Sequence, residues 1–264
     1  MELIIEQIEK AEVLTAVFQH IRLFTESVNL YFEKERLYIQ CMDHSHVSIM
    51  ELILPASWFS TYEVAQNMVI GINATFLYRV LNSRDKSQKI HLICSDTPDY
   101  LNVHLTGDNK KEFDKHFELP LIDVDSELMQ IPDVDYVAEI DIGSQQFASI
   151  INQLKMFGDS LDLTCTEEKI QLASSSQDQG KMFVEISIDD VSGYAINEGE
   201  ELKVGFSLNY LHNMCMYSKI AKEVHLEFSQ NYPMKFSYFL GEEEGEGVER
   251  ACLRFYLAPR VDED

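Results

Sequence analysis

Displaced against itself by 133 positions, the chain matches its own second half without a gap through its first helix and strands. Leu14, Val17, Phe18, Ile21 and Phe24 fall on Phe147, Ile150, Ile151, Leu154 and Phe157. Ser27, Val28, Leu30, Arg36, Leu37 and Ile39 fall on Ser160, Leu161, Leu163, Lys169, Ile170 and Leu172. With one residue more of displacement, Gly71, Ile72, Phe76, Leu77, Val80, Leu81, His91 and Leu92 meet Gly205, Phe206, Tyr210, Leu211, Met214, Cys215, His225 and Leu226. Late in each half, Pro98, Leu101, Val103 and Leu105 meet Pro233, Phe236, Tyr238 and Leu240. Solenoid repeats have far shorter periods, roughly 20–50 residues, so this is a duplicated domain and not an array. Whatever one half folds into, the other must fold into as well.

Each copy has the same plan. A helix comes first, with apolar residues at i, i+3, i+4 and i+7: Leu14, Val17, Phe18, Ile21, then Phe147, Ile150, Ile151, Leu154. Short alternating stretches such as Val28-Asn29-Leu30-Tyr31-Phe32 and Leu37-Tyr38-Ile39 read as antiparallel strands with one buried face. A second, short helix carries Phe76, Leu77, Val80 and Leu81, repeated as Tyr210, Leu211, Met214 and Cys215. More strands follow, including residues 90–94 and 224–228. The class is α+β: two similar domains, each with two helices on one face of antiparallel sheets. The expected division is an N-terminal domain over residues 1–120, a connector over 121–136 and a C-terminal domain over 137–264. The connector is Asp-rich, holds Pro132 and has too few glycines for a floppy tether, so it reads as extended and partly exposed. Residues 241–249, rich in Glu and Gly, read as a mobile surface loop.

With 264 residues, 45% of them apolar, the chain can bury two cores. There is no apolar run of 18 residues, so no membrane span is expected. The first residues, Met1-Glu2-Leu3-Ile4-Ile5-Glu6, lack a basic leader and a small-residue cleavage site, which argues against secretion. Cys41, Cys94, Cys165, Cys215 and Cys252 are scattered and odd in number, as expected of reduced thiols packed as small core residues. The formal charge of −24 argues against nonspecific adhesion to DNA unless the charge is partitioned. It is: predicted helices over 10–22, 74–82, 144–156 and 208–219 hold Lys10, Arg22, Arg79, Lys155 and Lys219 against one acid, Glu12. They total +4, leaving −28 elsewhere. Such a surface meets phosphates without reading bases. Five cations are few, however, and a routine solvated helix face explains the count as well.

No Walker A, Rossmann or GxSxG pattern is present. His44-Ser45-His46 offers two imidazoles without a carboxylate or thiol partner, and reads as surface or partner-facing histidines. Asp123-Val124-Asp125 and Asp133-Val134-Asp135 would suit a divalent cation, but in an acidic connector solvated carboxylates are the commoner case. No catalytic residues, cofactor or metal are expected.

Met42-Asp43-His44-Ser45-His46-Val47 resembles a characteristic run of the proliferating cell nuclear antigen family, the eukaryotic sliding clamps. Gly71-Ile72-Asn73 resembles that family's approach to its second helix; Asp123-Val124-Asp125 with Ile131-Pro132 resembles its interdomain connector. The tail, Phe255-Tyr256-Leu257-Ala258-Pro259-Arg260-Val261-Asp262-Glu263-Asp264, is the strongest likeness, and the similarity runs end to end.

The resemblance implies a non-enzymatic processivity factor. It would be a head-to-tail homotrimer closed around duplex DNA, helices lining the hole, tethering DNA polymerase and other clients and placed by a clamp loader. It implies a DNA-facing set of Thr15, Ala16, Arg22, Arg79, Asn82, Ser149, Asn152, Lys155, Asn209 and Lys219. It implies that client proteins insert a short helical plug with aromatic anchors against Met42, His46, Val47, Ile49, Met129, Ile131, Pro132, Pro233, Tyr256, Leu257, Ala258, Pro259 and Val261. Subunits would join by pairing a strand near Lys115, His116 and Phe117 with one near Met182, Phe183, Val184, Glu185 and Ile186. The expected location is the nucleus, or a viral replication site in the host cell.

Several lining positions that are basic in typical members are uncharged here, namely Thr15, Ala16, Asn82, Ser149, Asn152 and Asn209. Glu167 stands where the family has a modifiable lysine, and the run Glu242-Glu243-Glu244 is unusual. These departures point to a divergent member, viral or protistan. The alternative is a specialised clamp-like subunit, either of a checkpoint-type heterotrimer or a viral factor that is not a trimer. Two readings come from other classes: a metal-dependent phosphotransferase or nuclease using the Asp pairs, and an acidic binder of basic proteins unrelated to DNA.

Overall fold

The computed structural model describes residues 1–107, 112–125, 127–241 and 249–260. Val261, the rest of the tail and the acidic run Glu242-Glu243-Glu244 lie outside the described residues. The chain forms two compact units. The first comprises Met1–His44, Met50–Met129 and Leu240–Cys252; the second comprises Ser45–Ile49, Gln130–Phe239 and Leu253–Asp264.

In chain order the first unit holds β1 (Glu2–Ile5), α1 (Ile8–Phe24), β2 (Ser27–Phe32), β3 (Arg36–Met42), β4 (Ser48–Pro55), β5 (Thr61–Glu63), β6 (Met68–Asn73), α2 (Ala74–Asn82), β7 (Lys89–Ile93), β8 (Tyr100–Thr106) and β9 (Lys115–Pro120). A 3-10 turn, Ala56–Trp58, follows β4. One antiparallel sheet runs β5-β1-β7-β8-β9 and another β4-β3-β2-β6. Strict alternation makes these strands: Leu3 and Ile5, Ile90 and Leu92, and Leu101, Val103 and Leu105 all face inward and are buried. Leu14, Val17, Phe18 and Ile21 of α1 complete that core, as their spacing predicts.

The second unit holds β10 (Ala138–Gly143), α3 (Ser144–Leu154), β11 (Ser160–Cys165), β12 (Lys169–Ser176), β13 (Gly180–Ser187), β14 (Gly193–Ile196), β15 (Leu202–Ser207), α4 (Leu208–Cys215), β16 (Glu223–Phe228), β17 (Met234–Phe239) and β18 (Cys252–Leu257). Its 3-10 turn, Ile188–Asp190, follows β13. Its sheets run β14-β10-β16-β17-β18 and β13-β12-β11-β15. These orders reproduce those of the first unit strand for strand, so the duplication read from the sequence is a duplication of topology. Even an outward-facing detail is kept: His91 Nε2 meets the Glu2 carboxylate at 2.8 Å, and its counterpart His225 Nδ1 meets Asp141 at 2.7 Å.

Within each unit the two helices pack on each other and on both sheets: α1 reaches β1 and β7, α2 reaches β6 and β9, α3 reaches β10, β13 and β16, and α4 reaches β15. No helix among the described residues is long and apolar enough to cross a membrane. Of the cysteines, which are all reduced, Cys94, Cys165, Cys215 and Cys252 are buried and Cys41 is half-buried.

Candidate nucleic-acid interface and partner surface

The helix pairs carry the residues expected to face DNA. On α1, Thr15 and Ala16 are half-buried, and the Thr15 hydroxyl donates to the Ala11 carbonyl at 2.8 Å. Arg22 donates its Nε to the Gln19 carbonyl at 3.0 Å and lies over the Tyr78 ring, 4.6 Å from its centre. On α2, Arg79 and Asn82 are exposed, and Arg79 lies 5.7 Å from the centre of the Phe76 ring. Phe76, Arg79 and Asn82 recur every third residue, so they share one exposed stripe. Phe76, named from the sequence only as one of the residues that helix carries, is 49% exposed.

In the second unit, Ser149 accepts from Gln153 Nε2 at 3.1 Å, and Asn152 Oδ1 meets His212 Nδ1 at 2.7 Å, linking α3 to α4. The Asn209 amide donates to Asp159 at 3.3 Å. Lys155 caps α3, and Lys219 is exposed beyond the end of α4. Burial first, and the Lys155 ammonium second, hold His212 below its ordinary value; burial and then Arg22 do the same to His20. Both imidazoles are therefore neutral near pH 7 and add no charge to the helices.

The helix charge is smaller than the sequence suggested. α1 starts at Ile8 and so includes Glu9, in the first turn where an acid favours the helix dipole. α3 and α4 end before Lys155 and Lys219. The four helices carry +1, not +4, with those two lysines just past their ends. Lys10 is turned away, donating to the Trp58 carbonyl at 2.7 Å and lying over that indole. Of the five cations on the predicted helices, Arg22, Arg79, Lys155 and Lys219 remain on or just beyond a helix and unengaged by Trp58.

The two segments expected to join subunits are both outermost strands. Lys115, His116 and Phe117 begin β9, and residues 182–186 lie in β13; among the described residues β9 pairs only with β8 and β13 only with β12. Phe183 is 60% exposed, whereas Ile186 is buried. The sheet ends at β5, β14, β6 and β15 are blunted. β5 and β14 are three and four residues long. The edge of β6 is bridged at Gly71 by Ile122, whose N–H donates to the Gly71 carbonyl at 2.9 Å. The edge of β15 meets the Arg260 N–H, which donates to the Gly205 carbonyl at 2.8 Å. Proteins protect or shorten such edges unless they are used.

The docking set falls in both units. In the first, Met42 is half-buried on the face of β3 that also carries Tyr38 and Gln40, and Met129 is half-buried. The Gln40 amide holds Met129 from both sides, accepting from its N–H at 2.7 Å and donating to its carbonyl at 3.1 Å. Asn29 on β2 donates to the Val124 carbonyl at 3.0 Å. Neither Gln40 nor Asn29 was anticipated from sequence. In the second unit, His46 is exposed at φ +57°, and Val47 accepts from the Ala258 N–H at 3.1 Å. Ile49, Ile131 and Pro259 are half-buried, while Pro132, Pro233 and Ala258 are exposed. Tyr256 is 9% exposed and Leu257 is fully buried, main chain included, so Leu257 presents no surface to a partner. Asp123, Asp125, Asp133 and Asp135 are exposed, and no cluster of three metal-ligating side chains occurs among the described residues.

Residues 3–128 match the family model for the proliferating cell nuclear antigen N-terminal domain, and residues 130–260 that for its C-terminal domain. The chain is 28% identical over 263 residues to the proliferating cell nuclear antigen of Chaetomium thermophilum, covering 98% of each chain. It is 28% identical over 227 residues to proliferating cell nuclear antigen 2 of Drosophila melanogaster, covering 86% of each. It is 29% identical over 230 residues to the DNA polymerase sliding clamp of Pyrococcus horikoshii, covering 87% of each.

Proposed function

The chain belongs to the proliferating cell nuclear antigen family of sliding clamps, and from that premise we propose that it closes head to tail into a homotrimer around duplex DNA. The observation that carries this reading is the pair of long open edges, β9 in one unit and β13 in the other. Strand addition between β9 of one copy and β13 of the next uses both edges, and each copy offers one of each. Residues 115–117 and 182–186 form the seam in this reading.

The family's clamps are not enzymes; retention on DNA is topological. Arg22, Arg79, Lys155 and Lys219, with Thr15, Ala16, Asn82, Ser149, Asn152 and Asn209 around them, face the duplex backbone and read no bases. A loader opens the ring. Polymerase and other clients dock through aromatic-anchored segments on Met42, His46, Val47, Ile49, Met129, Ile131, Pro132, Pro233, Tyr256, Ala258 and Pro259. The work is done in a nucleus, or at a viral replication site if the source is viral.

Light scattering tests the ring: about 90 kDa is expected for three copies of a 30.5 kDa chain, and a stable monomer at micromolar concentration overturns it. Ile131→Ala with Tyr256→Ala is expected to abolish stimulation of a cognate polymerase while the trimer persists. Stimulation that survives the double substitution removes the docking assignment. The uncharged helix positions favour a second reading, a specialised clamp subunit that assembles with different chains; it predicts no self-trimer.

A further inference from the structure

The connector is held at three points by three successive strands of one sheet. Gly71 on β6 pairs with Ile122, Asn29 on β2 donates to Val124, and Gln40 on β3 clasps Met129. The third hold differs from the others because a buried polar chain stands behind it. Glu51, on β4, is 7% exposed and accepts from the Tyr38 hydroxyl. The Tyr38 oxygen in turn accepts from Gln40 Nε2 at 3.0 Å.

This chain fixes which way the Gln40 amide points. A buried carboxylate must be hydrogen-bonded, so the Tyr38 proton is directed to Glu51 and the phenol oxygen presents a lone pair to Gln40. Nε2 therefore faces the two acceptors, Tyr38 Oη and the Met129 carbonyl. Oε1 is left facing the Met129 N–H. The amide pairs with Met129 as one peptide group pairs with another across a narrow antiparallel ladder. Both bonds go to main chain, so they fix where the connector lies regardless of the side chain at 129.

We propose that Gln40, oriented by Tyr38 and Glu51, is a positioning residue that sets the connector for partner docking. The inference rests on the docking assignment above, in which Met129 and, on the same face of β3 as Gln40, Met42 contact clients. Prior positioning of a binding segment raises affinity by removing its ordering entropy from the binding step.

The test uses the full-length protein in its native assembly with two readouts. In Gln40→Ala, exchange of the Met129 amide is expected to accelerate about tenfold, the worth of one net hydrogen bond, while the Ile122 amide is unchanged. The dissociation constant of a synthetic helical peptide with two aromatic anchors is expected to rise by a similar, about tenfold, factor. Gln40→Glu keeps the acceptor for the Met129 N–H but loses both donors, and should fall between. Glu51→Gln keeps an acceptor for Tyr38 and should stay near wild type, whereas Tyr38→Phe should loosen Met129. Should Gln40→Ala fail to fold, Gln40→Glu and Tyr38→Phe carry the same comparison. Unchanged Met129 exchange in the folded Gln40 and Tyr38 variants overturns the relay. Faster exchange with unaltered peptide affinity leaves the relay standing and overturns the docking assignment beneath it.

Discussion

A side chain at position 71 has nowhere to go. A Cβ built there falls on the Ile122 carbonyl oxygen and 2.8 Å from Val124 Cγ2, so the strand edge and the connector approach as closely as a bare backbone allows. Gly71→Ala must push the connector off β6, and overpacking of this kind costs about 1–3 kcal/mol. Denaturant midpoints at constant m-value should show it, together with loss of exchange protection at Ile122. The cysteines give a second prediction. Burial pushes the Cys165 and Cys215 thiols up to about 12, against 9.0 for a free thiol. Raised thiols favour the folded state in their neutral form. Their contribution is complete below pH 9 and is lost progressively as pH rises toward 12. Native protein at pH 8 should label slowly with a thiol reagent at these two positions and rapidly after unfolding. Fast native labelling would mean the surrounding sheets open locally.

Helix α2 shows how far single elements were legible. Its span was read correctly because its apolar stripe, Leu77, Val80 and Leu81, is bounded by Asn73, whose side chain accepts from the Phe76 N–H at 3.0 Å. Asn73→Ala should lower stability by about 1 kcal/mol, the usual worth of such a cap, and calorimetry would show it. α1 begins two residues before the predicted span because Gln7 provides no side-chain cap to mark the start. That slip brought Glu9 into the helix and took its net charge from +1 to zero. The repeat register located all four helices, and alternation located the strands. The holds on the connector were not legible: Asn29 and Gln40 sit among apolar strand residues and bond to main-chain atoms 95 and 89 positions away. A side chain that binds a distant peptide group leaves no pattern in its own neighbourhood. The docking segments were found only through family resemblance, and resemblance does not tell a buried Leu257 from an accessible neighbour.

At the scale of the whole molecule the question is how a chain of net charge −24 stays on DNA. Attraction is a weak candidate. The expected DNA-facing set holds four cations, and the polar groups of Thr15, Ser149, Asn152 and Asn209 already have partners within the chain. Enclosure needs none of them. The two mechanisms respond oppositely to salt. Binding through Z phosphate contacts loses affinity with a slope of about −0.9Z in log–log terms. A closed ring on a circle leaves only by opening at its seams, which the strand pairing of β9 with β13 would hold. Once loaded on a nicked circle, the protein should therefore be retained with a half-life that changes less than about twofold between roughly 0.1 and 0.5 M salt, a range over which exposed charge interactions are largely screened. Cutting the circle once should release it at any salt. Arg79→Ala and Lys155→Ala should slow loading but leave retention on the circle unaltered, because they act on encounter with the duplex and not on closure. Loss from the uncut circle that steepens with salt would mean that charge, after all, does the holding.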